Sequence, residues 1–597
     1  MKRGNLEKWK NLSACNNLLF FSQLVNELLF DYSIPSNRIS TLNSHYLCID
    51  ALNAINDIDY HGVPEGTLKP IMEELYSEIK KDPVFSLSDS PLNFFVKYQH
   101  DKYVICKRVA DMGYEELKKT AIAINNYYFN NDKYYFLLKE RISRIVKENK
   151  PSDQPILFRL IKSLLTELVN KGYSIRYLYM MMNQLFWEPR ELILSNDLID
   201  TFFDAFSFYD NDYTVIFKVQ KKQIGPLISY LDWLDYSKEL PEDIQLLIEK
   251  AFLKKKSGEV FLLASRKALD PYTAAEMVTR HIEVETSVYR LYDHRYKFTI
   301  TDADCIICDA KNYYKMERNI KAVEHTKTPS SKEIAESMKL ASDTIQNIVR
   351  IGNYDDIISV LSAIRYHSHS LNSFSEENQL LDLWAIFETV LDIKNQKHTS
   401  DRIQQICMYL VPLLKRRYLY SLFKQLSDDI KSYNEVIFNS IIDGETVESE
   451  IVLRICEFTL LQEYKEKREQ ILGECRDFPL LIERISYYCE SLQSPAKIHS
   501  FVEKHAERVR WQIMRIYRNR NLIIHNGSKM PYLSLLIENL HSYVDDFMAY
   551  TIHSLSQEKS IETMCQELFV KECRWNASFP RQNNGITRNQ IKHILSE

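Results

Sequence analysis

The residues best placed to do chemistry lie in FVEKHAERVRWQIMRIYRNRNLIIHNGSKM (501–530). The segment holds seven basic side chains (Lys504, Arg508, Arg510, Arg515, Arg518, Arg520 and Lys529) against two acidic ones, Glu503 and Glu507. It is therefore locally positive on a chain whose formal net charge is −5. Concentrated positive charge on a globally acidic protein suits a phosphate-bearing partner, although a solvated helix face has the same composition. Val502, Ala506, Val509, Ile513 and Ile516 recur at steps of three and four, the spacing of a packed helical stripe. Continuing the stripe lands on Arg520, where burial demands a partner or a ligand. Asn526 and Gly527 form a helix stop. His525 then falls in the last turn, where the helix dipole favours its protonated form. An imidazole titrating near neutrality beside arginines is the equipment for acid–base cleavage of a phosphodiester.

Arg520-Asn521-Leu522-Ile523-Ile524-His525 resembles the RxxxxH motif of HEPN domains (higher eukaryotes and prokaryotes nucleotide-binding), including a polar residue after the arginine. Upstream, ENQLLDLWAIFETVLD is similar to the early helix of ApeA-like HEPN proteins, with Trp384 and Glu388 in an LWxxxE pattern. The resemblance covers roughly residues 335–560. It implies a metal-independent endoribonuclease without a cofactor, its site formed at a homodimer interface through the HEPN domain. Arg520 would stabilise charge on the scissile phosphate. His525 would move protons at the 2′-hydroxyl or the leaving oxygen, Asn521 would orient the phosphate or the histidine, and the product would be a 2′,3′-cyclic phosphate. Arg508, Arg510, Arg515 and Lys529 would bind RNA. Transfer RNA is among the family's substrates, and many ApeA-like proteins act in abortive anti-phage defence under a phage-derived trigger. A non-catalytic HEPN dimerisation or RNA-binding module, or a helical scaffold, is the alternative.

Two arginines compete for the catalytic role. Arg518, Asn521 and His525 share one helical face, whereas Arg520 lies about 140° from His525 on an ideal helix. The commoner family spacing favours Arg520, and a dimeric site relaxes the one-face demand. Arg518 stays as a supporting candidate. So does Glu388, which stands beside the Leu380, Leu383, Trp384, Phe387 and Leu391 stripe as a partner for Arg520 or a plain helical glutamate.

The elements that must position these residues are mainly helical. Only 12 glycines and 17 prolines occur in 597 residues. Together they make about 5 % of the chain, where about 12 % is usual. Such a chain builds few tight turns or backbone phosphate cradles, and neither GxxxxGK[ST] nor GxGxxG occurs. LKPIMEELYSEIKK, YEELKKTAIAINNYY and PILFRLIKSLLTELVNK carry helical periodicity. DYTVIFKVQ (212–220), EVFLLASR (259–266) and YKFTITDADCIICDA (296–310) read as strands. The expected fold is mainly α: a helical N-terminal region (1–205), a small α+β middle segment (206–330), a C-terminal all-α HEPN helical bundle (331–570) and a polar tail (571–597) that is loose over 574–590. The first two parts would form a sensor or recognition region. EHTKTPSSKE (324–333), with a Ser330–Glu333 capping box, marks the boundary, and Ser373 with Glu376 suggests another box.

Other features read plainly. Eleven scattered cysteines suit a reduced, cytoplasmic protein. Cys305-Ile306-Ile307-Cys308 is a lone CxxC, a pair of core thiols and not a zinc ribbon. His367-Ser368-His369 reads as surface chance. Lys254–Lys256 and Lys415-Arg416-Arg417 read as solvated helix ends that could extend an RNA surface. No apolar leader and no membrane-length apolar run is present, so no membrane partner is expected.

Overall fold

The computed structural model describes the chain apart from residues 1–3, 31–37, 87–88, 100–101, 107, 229–232, 297, 301–302, 317–330, 374, 392–401, 527–529, 531, 579–584 and 597. Its residues form two compact units, both discontinuous in sequence. One comprises 1–167, 191–199 and 327–597; the other comprises 168–190 and 200–326. The stretch 1–205 is thus shared between them, and most of it belongs with the C-terminal helices. The fold is mainly α with a small α+β region, as the turn-poor composition requires.

In the larger unit, amphipathic helices bury their apolar stripes against one another. N-terminal members include Asn16–Phe30, Ser44–His61, Leu68–Ile79 and Lys133–Glu148. C-terminal members include Tyr354–Asn372, Glu376–Val390, Arg402–Tyr433, Pro479–Ser491, Pro495–Asn526 and Leu533–Leu555. A short antiparallel hairpin, β1 (Val96–Gln99) with β2 (Lys102–Ile105), is the one sheet described in this unit.

Charge as well as apolar surface ties the two ends of the chain together. Arg484 sits between Glu27 (2.6 Å) and Asp429 (3.0 Å), all three nearly inaccessible to solvent. Burial opposes the guanidinium charge, but Glu27 and Asp429 outweigh it, so the pKa of Arg484 rises. A group buried in this way is tolerable only while its partners remain.

The smaller unit is built on an antiparallel sheet of order β4-β5-β3-β6-β7. Its strands are β3 (Asn211–Gln220), β4 (Asp235–Ser237), β5 (Glu259–Ala268), β6 (Asp304–Cys308) and β7 (Tyr313–Met316). Helix Pro271–Tyr292 covers one face, with Ala274, Ala275, Val278 and Ile282 packed among Val215, Leu262 and Ile307. The opposite face buries Ile216, Phe261 and Ile306 against Leu240, Ile244 and Ile248. Burial on both faces explains why β6 reads as continuous apolar residues and not as an alternation. It also accounts for the CxxC. Residues three apart point to opposite faces of a strand, and Cys305 and Cys308 fall in the two separate cores. Burial raises both thiol pKa values, that of Cys308 to about 11. Among the described residues no group of three His, Cys, Asp or Glu side chains is placed to hold a metal ion.

Several local expectations need correction. Ser375, not Ser373, caps helix Glu376–Val390, its hydroxyl accepting from the Asn378 amide at 3.2 Å. Ser373 instead closes the preceding helix. The tail is helical on both sides of residues 579–584, which lie outside the described residues: helix Ile561–Ser578 reaches into it and helix Arg588–Ser596 follows, with Trp575 and Ile591 buried. Residues 324–330, including Ser330 of the capping box, lie outside the described residues, while helix Ser331–Val349 begins directly after them. No described helix is long and apolar enough to cross a membrane.

Candidate functional site

Residues 501–526 of the basic segment form all but the first six residues of one helix, Pro495–Asn526. Its stripe is buried as the spacing requires, Val502, Ala506, Val509, Ile513 and Ile516 being at most 6 % exposed. The helix packs against Arg402–Tyr433 and Glu376–Val390 on the C-terminal side and against Leu68–Ile79 on the N-terminal side. Carboxylates on Leu68–Ile79 and on Ser44–His61 decide the fate of two arginines.

Arg518 is buried and ion-paired with Asp50, whose Oδ1 also accepts from the Tyr532 hydroxyl at 3.2 Å. Burial opposes the Arg518 charge, and Asp50 and Tyr532 more than offset that effect. Arg515 pairs with Glu74 and lies 3.7 Å from Asp50. Both guanidiniums are therefore committed to internal carboxylates. Arg515 does not belong to a solvent-facing RNA surface, contrary to expectation. Arg508 and Arg510 remain exposed. Lys529 lies outside the described residues.

Arg520 sits one step beyond the packed stripe, with 23 % of its side chain exposed. One terminal nitrogen lies 3.5 Å from Glu388 Oε2, and the other donates to Asn521 Oδ1 at 3.1 Å. Asn521 thus touches the arginine it follows. Glu388 is itself held. Its Oε1 accepts from the Trp384 indole N–H at 3.0 Å, and Arg402 stands 3.5 Å away. The LWxxxE spacing acquires a physical reason here. Residues four apart stack on one helix face, so the buried Trp384 ring fixes the carboxylate that faces Arg520. Tyr517, one turn before Arg520, packs its ring 5.5 Å from that of Trp384. His525 lies in the final turn of the helix, but its side chain is outside the described residues. Ile524 beside it is 47 % exposed.

Sequence reasoning missed the N-terminal carboxylates Asp50 and Glu74, for which no local signal exists. It also misplaced Lys415. That ammonium is buried between Glu503 (2.5 Å) and Glu572 (2.6 Å) and cannot extend an RNA surface. His369 pairs with Asp382 at 2.7 Å and His367 with Asp545 at 3.3 Å, two separate contacts.

No protein-family model matches the chain, and comparisons with curated proteins and with solved structures find no match either.

Proposed function

We propose that the chain is a metal-independent endoribonuclease of the HEPN type, acting as a homodimer on cellular RNA in anti-phage defence, with transfer RNA a candidate substrate. The observation that carries this reading is the Trp384–Glu388–Arg520 chain of contacts. A fixed carboxylate holds a partly exposed arginine near the end of a basic helix, five residues before His525. A preorganised guanidinium of this kind is suited to charge developing on a phosphate. The 2′-oxygen would attack phosphorus and the bond to the 5′-oxygen would break. Imidazoles would take the proton from the 2′-hydroxyl and deliver one to the leaving oxygen. The ends would be a 2′,3′-cyclic phosphate and a 5′-hydroxyl. Support for pairing of two copies comes from helix Tyr354–Asn372, where Tyr354, Ile358 and Leu361 expose apolar surface along one face.

The test is incubation of purified protein with total RNA, with and without a chelator. Cyclic-phosphate ends from the wild type, absent with His525→Ala, support the reading. Identical RNA profiles from the two proteins under activating conditions reject it.

One observation favours the non-catalytic alternative: Glu388 already partly neutralises Arg520. In that case the domain binds RNA or pairs with a second copy without cleavage, and salt-dependent RNA binding survives loss of His525.

A further inference from the structure

The larger unit contains a cavity of about 390 Å³, between its N-terminal helices and the first half of the basic helix. That volume is within the ~300–1,000 Å³ typical of small-molecule sites. Its described lining carries seven lysine and arginine side chains against four carboxylates. Several of these are already matched. Arg515 is paired with Glu74 and Lys81 with Glu78, and Arg484 turns to Glu27 and Asp429. Asp82 accepts from the Ser44 and Tyr134 hydroxyls. Arg159, Lys504 and Arg508 carry further positive charge, and Glu483 is the remaining carboxylate of the lining. Glu483 is weakened as an anion, since burial and Glu490 raise its pKa to about 7. The crowding of cations is felt at Lys162, whose pKa falls to about 8 through burial and then through the charge of Arg508.

The rest of the wall is aromatic and carries unused polar groups. Tyr487 is 46 % exposed and stands 6.3 Å from Phe501, ring to ring. His505 lies flat on Tyr418, and among the described residues its imidazole has no hydrogen-bond partner. The Asn539 side chain is 5 % exposed, and its Oδ1 is a buried acceptor without a donor among the described residues. A buried acceptor left open is costly unless something fills it.

We infer that this cavity is a binding site for a nucleotide, its phosphates against Arg508 and Lys504 and its ring against Tyr487 and Phe501, with Asn539 Oδ1 taking a hydrogen bond from the sugar or base. Phosphate needs the cations, a planar base needs the aromatic wall, and a ligand donor satisfies the open amide oxygen. Neither half of the lining serves the cleavage chemistry at Arg520, so the site stands whether or not the chain cuts RNA.

The test is calorimetric titration of the full chain carrying His525→Ala, so that RNA turnover cannot enter the readout. ADP, pyrophosphate and adenosine serve as probes. ADP is expected to bind and to raise the thermal midpoint by a few degrees. Pyrophosphate and adenosine should each bind at least about tenfold more weakly. Arg508→Ala, an exposed position whose unliganded melting should be unchanged, is expected to weaken ADP by about ten- to a hundredfold. Absence of ADP binding overturns the proposal. So does ADP affinity unaltered in both Arg508→Ala and Lys504→Ala, or pyrophosphate binding as tightly as ADP.

Discussion

Arg518 and Asp50 form a buried ion pair across 468 residues of sequence. The pair assigns the two arginines of RNRN to different duties. Arg518 anchors the basic helix to the N-terminal helices, while Arg520 faces the Glu388 carboxylate and keeps part of its surface in solvent. Whatever the motif does, its first arginine holds structure.

Removing either member of this pair strands a charge in the interior. Asp50→Ala and Arg518→Ala are each expected to cost about 3–5 kcal/mol in urea unfolding. The joint replacement Asp50→Leu with Arg518→Met should recover most of the loss. Single variants as stable as the wild type would show that the pair is not buried as described.

Arg520→Ala should behave in the opposite manner. A partly exposed guanidinium 3.5 Å from one carboxylate contributes at most about 1 kcal/mol, so unfolding should hardly move. Toxicity on expression and cyclic-phosphate product should both disappear. Cleavage that persists in Arg520→Ala would remove this arginine from the proposed chemistry.

Acid stability should carry the mark of His505. Burial, then the charge of Arg508, lowers its folded pKa to about 3, against an ordinary value of 6.5. The unfolded chain therefore binds the proton more readily. This contribution to stability is complete above pH 6.5 and is lost progressively as the pH falls toward 3. His505→Phe keeps an aromatic ring on Tyr418 and should show a shallower decline of the urea midpoint below pH 6.5. Equal slopes for the two proteins would contradict the assignment.

The C-terminal region should not stand alone. A fragment of residues 331–597 leaves Arg484, Arg515 and Arg518 without Glu27, Glu74 and Asp50. It is expected to be insoluble or to lack fixed tertiary structure, as size-exclusion chromatography and near-ultraviolet circular dichroism would report. A soluble, cooperatively melting fragment would refute this.

Helices were legible wherever one apolar stripe met one neighbour, and the stripe from Val502 to Ile516 is buried as its spacing implies. The Trp384–Glu388 relation could also be posed, because residues four apart meet within a helix. The burial of Arg515 and Arg518 could not. A helix covered on a second side by elements hundreds of residues away shows only charged letters on that side. Strands β3, β5 and β6 were readable from β-branched runs, although only Asp304–Cys308 of the 296–310 run is assigned to a strand. The hairpin Val96–Ile105, β4 and β7 were not, being three or four residues long with little alternation. The tail misled because its polar letters conceal Trp575 and Ile591, two anchors too widely separated to look periodic.

The order of synthesis gives the Asp50–Arg518 contact a temporal meaning. Ribosomes add about 5–20 residues per second, so Asp50 leaves the ribosome roughly 25 to 90 s before Arg518. During that interval the N-terminal helices hold carboxylates whose counter-charges have not been made. Assembly of the site is thereby tied to a late moment of translation, a delay set by chain connectivity alone.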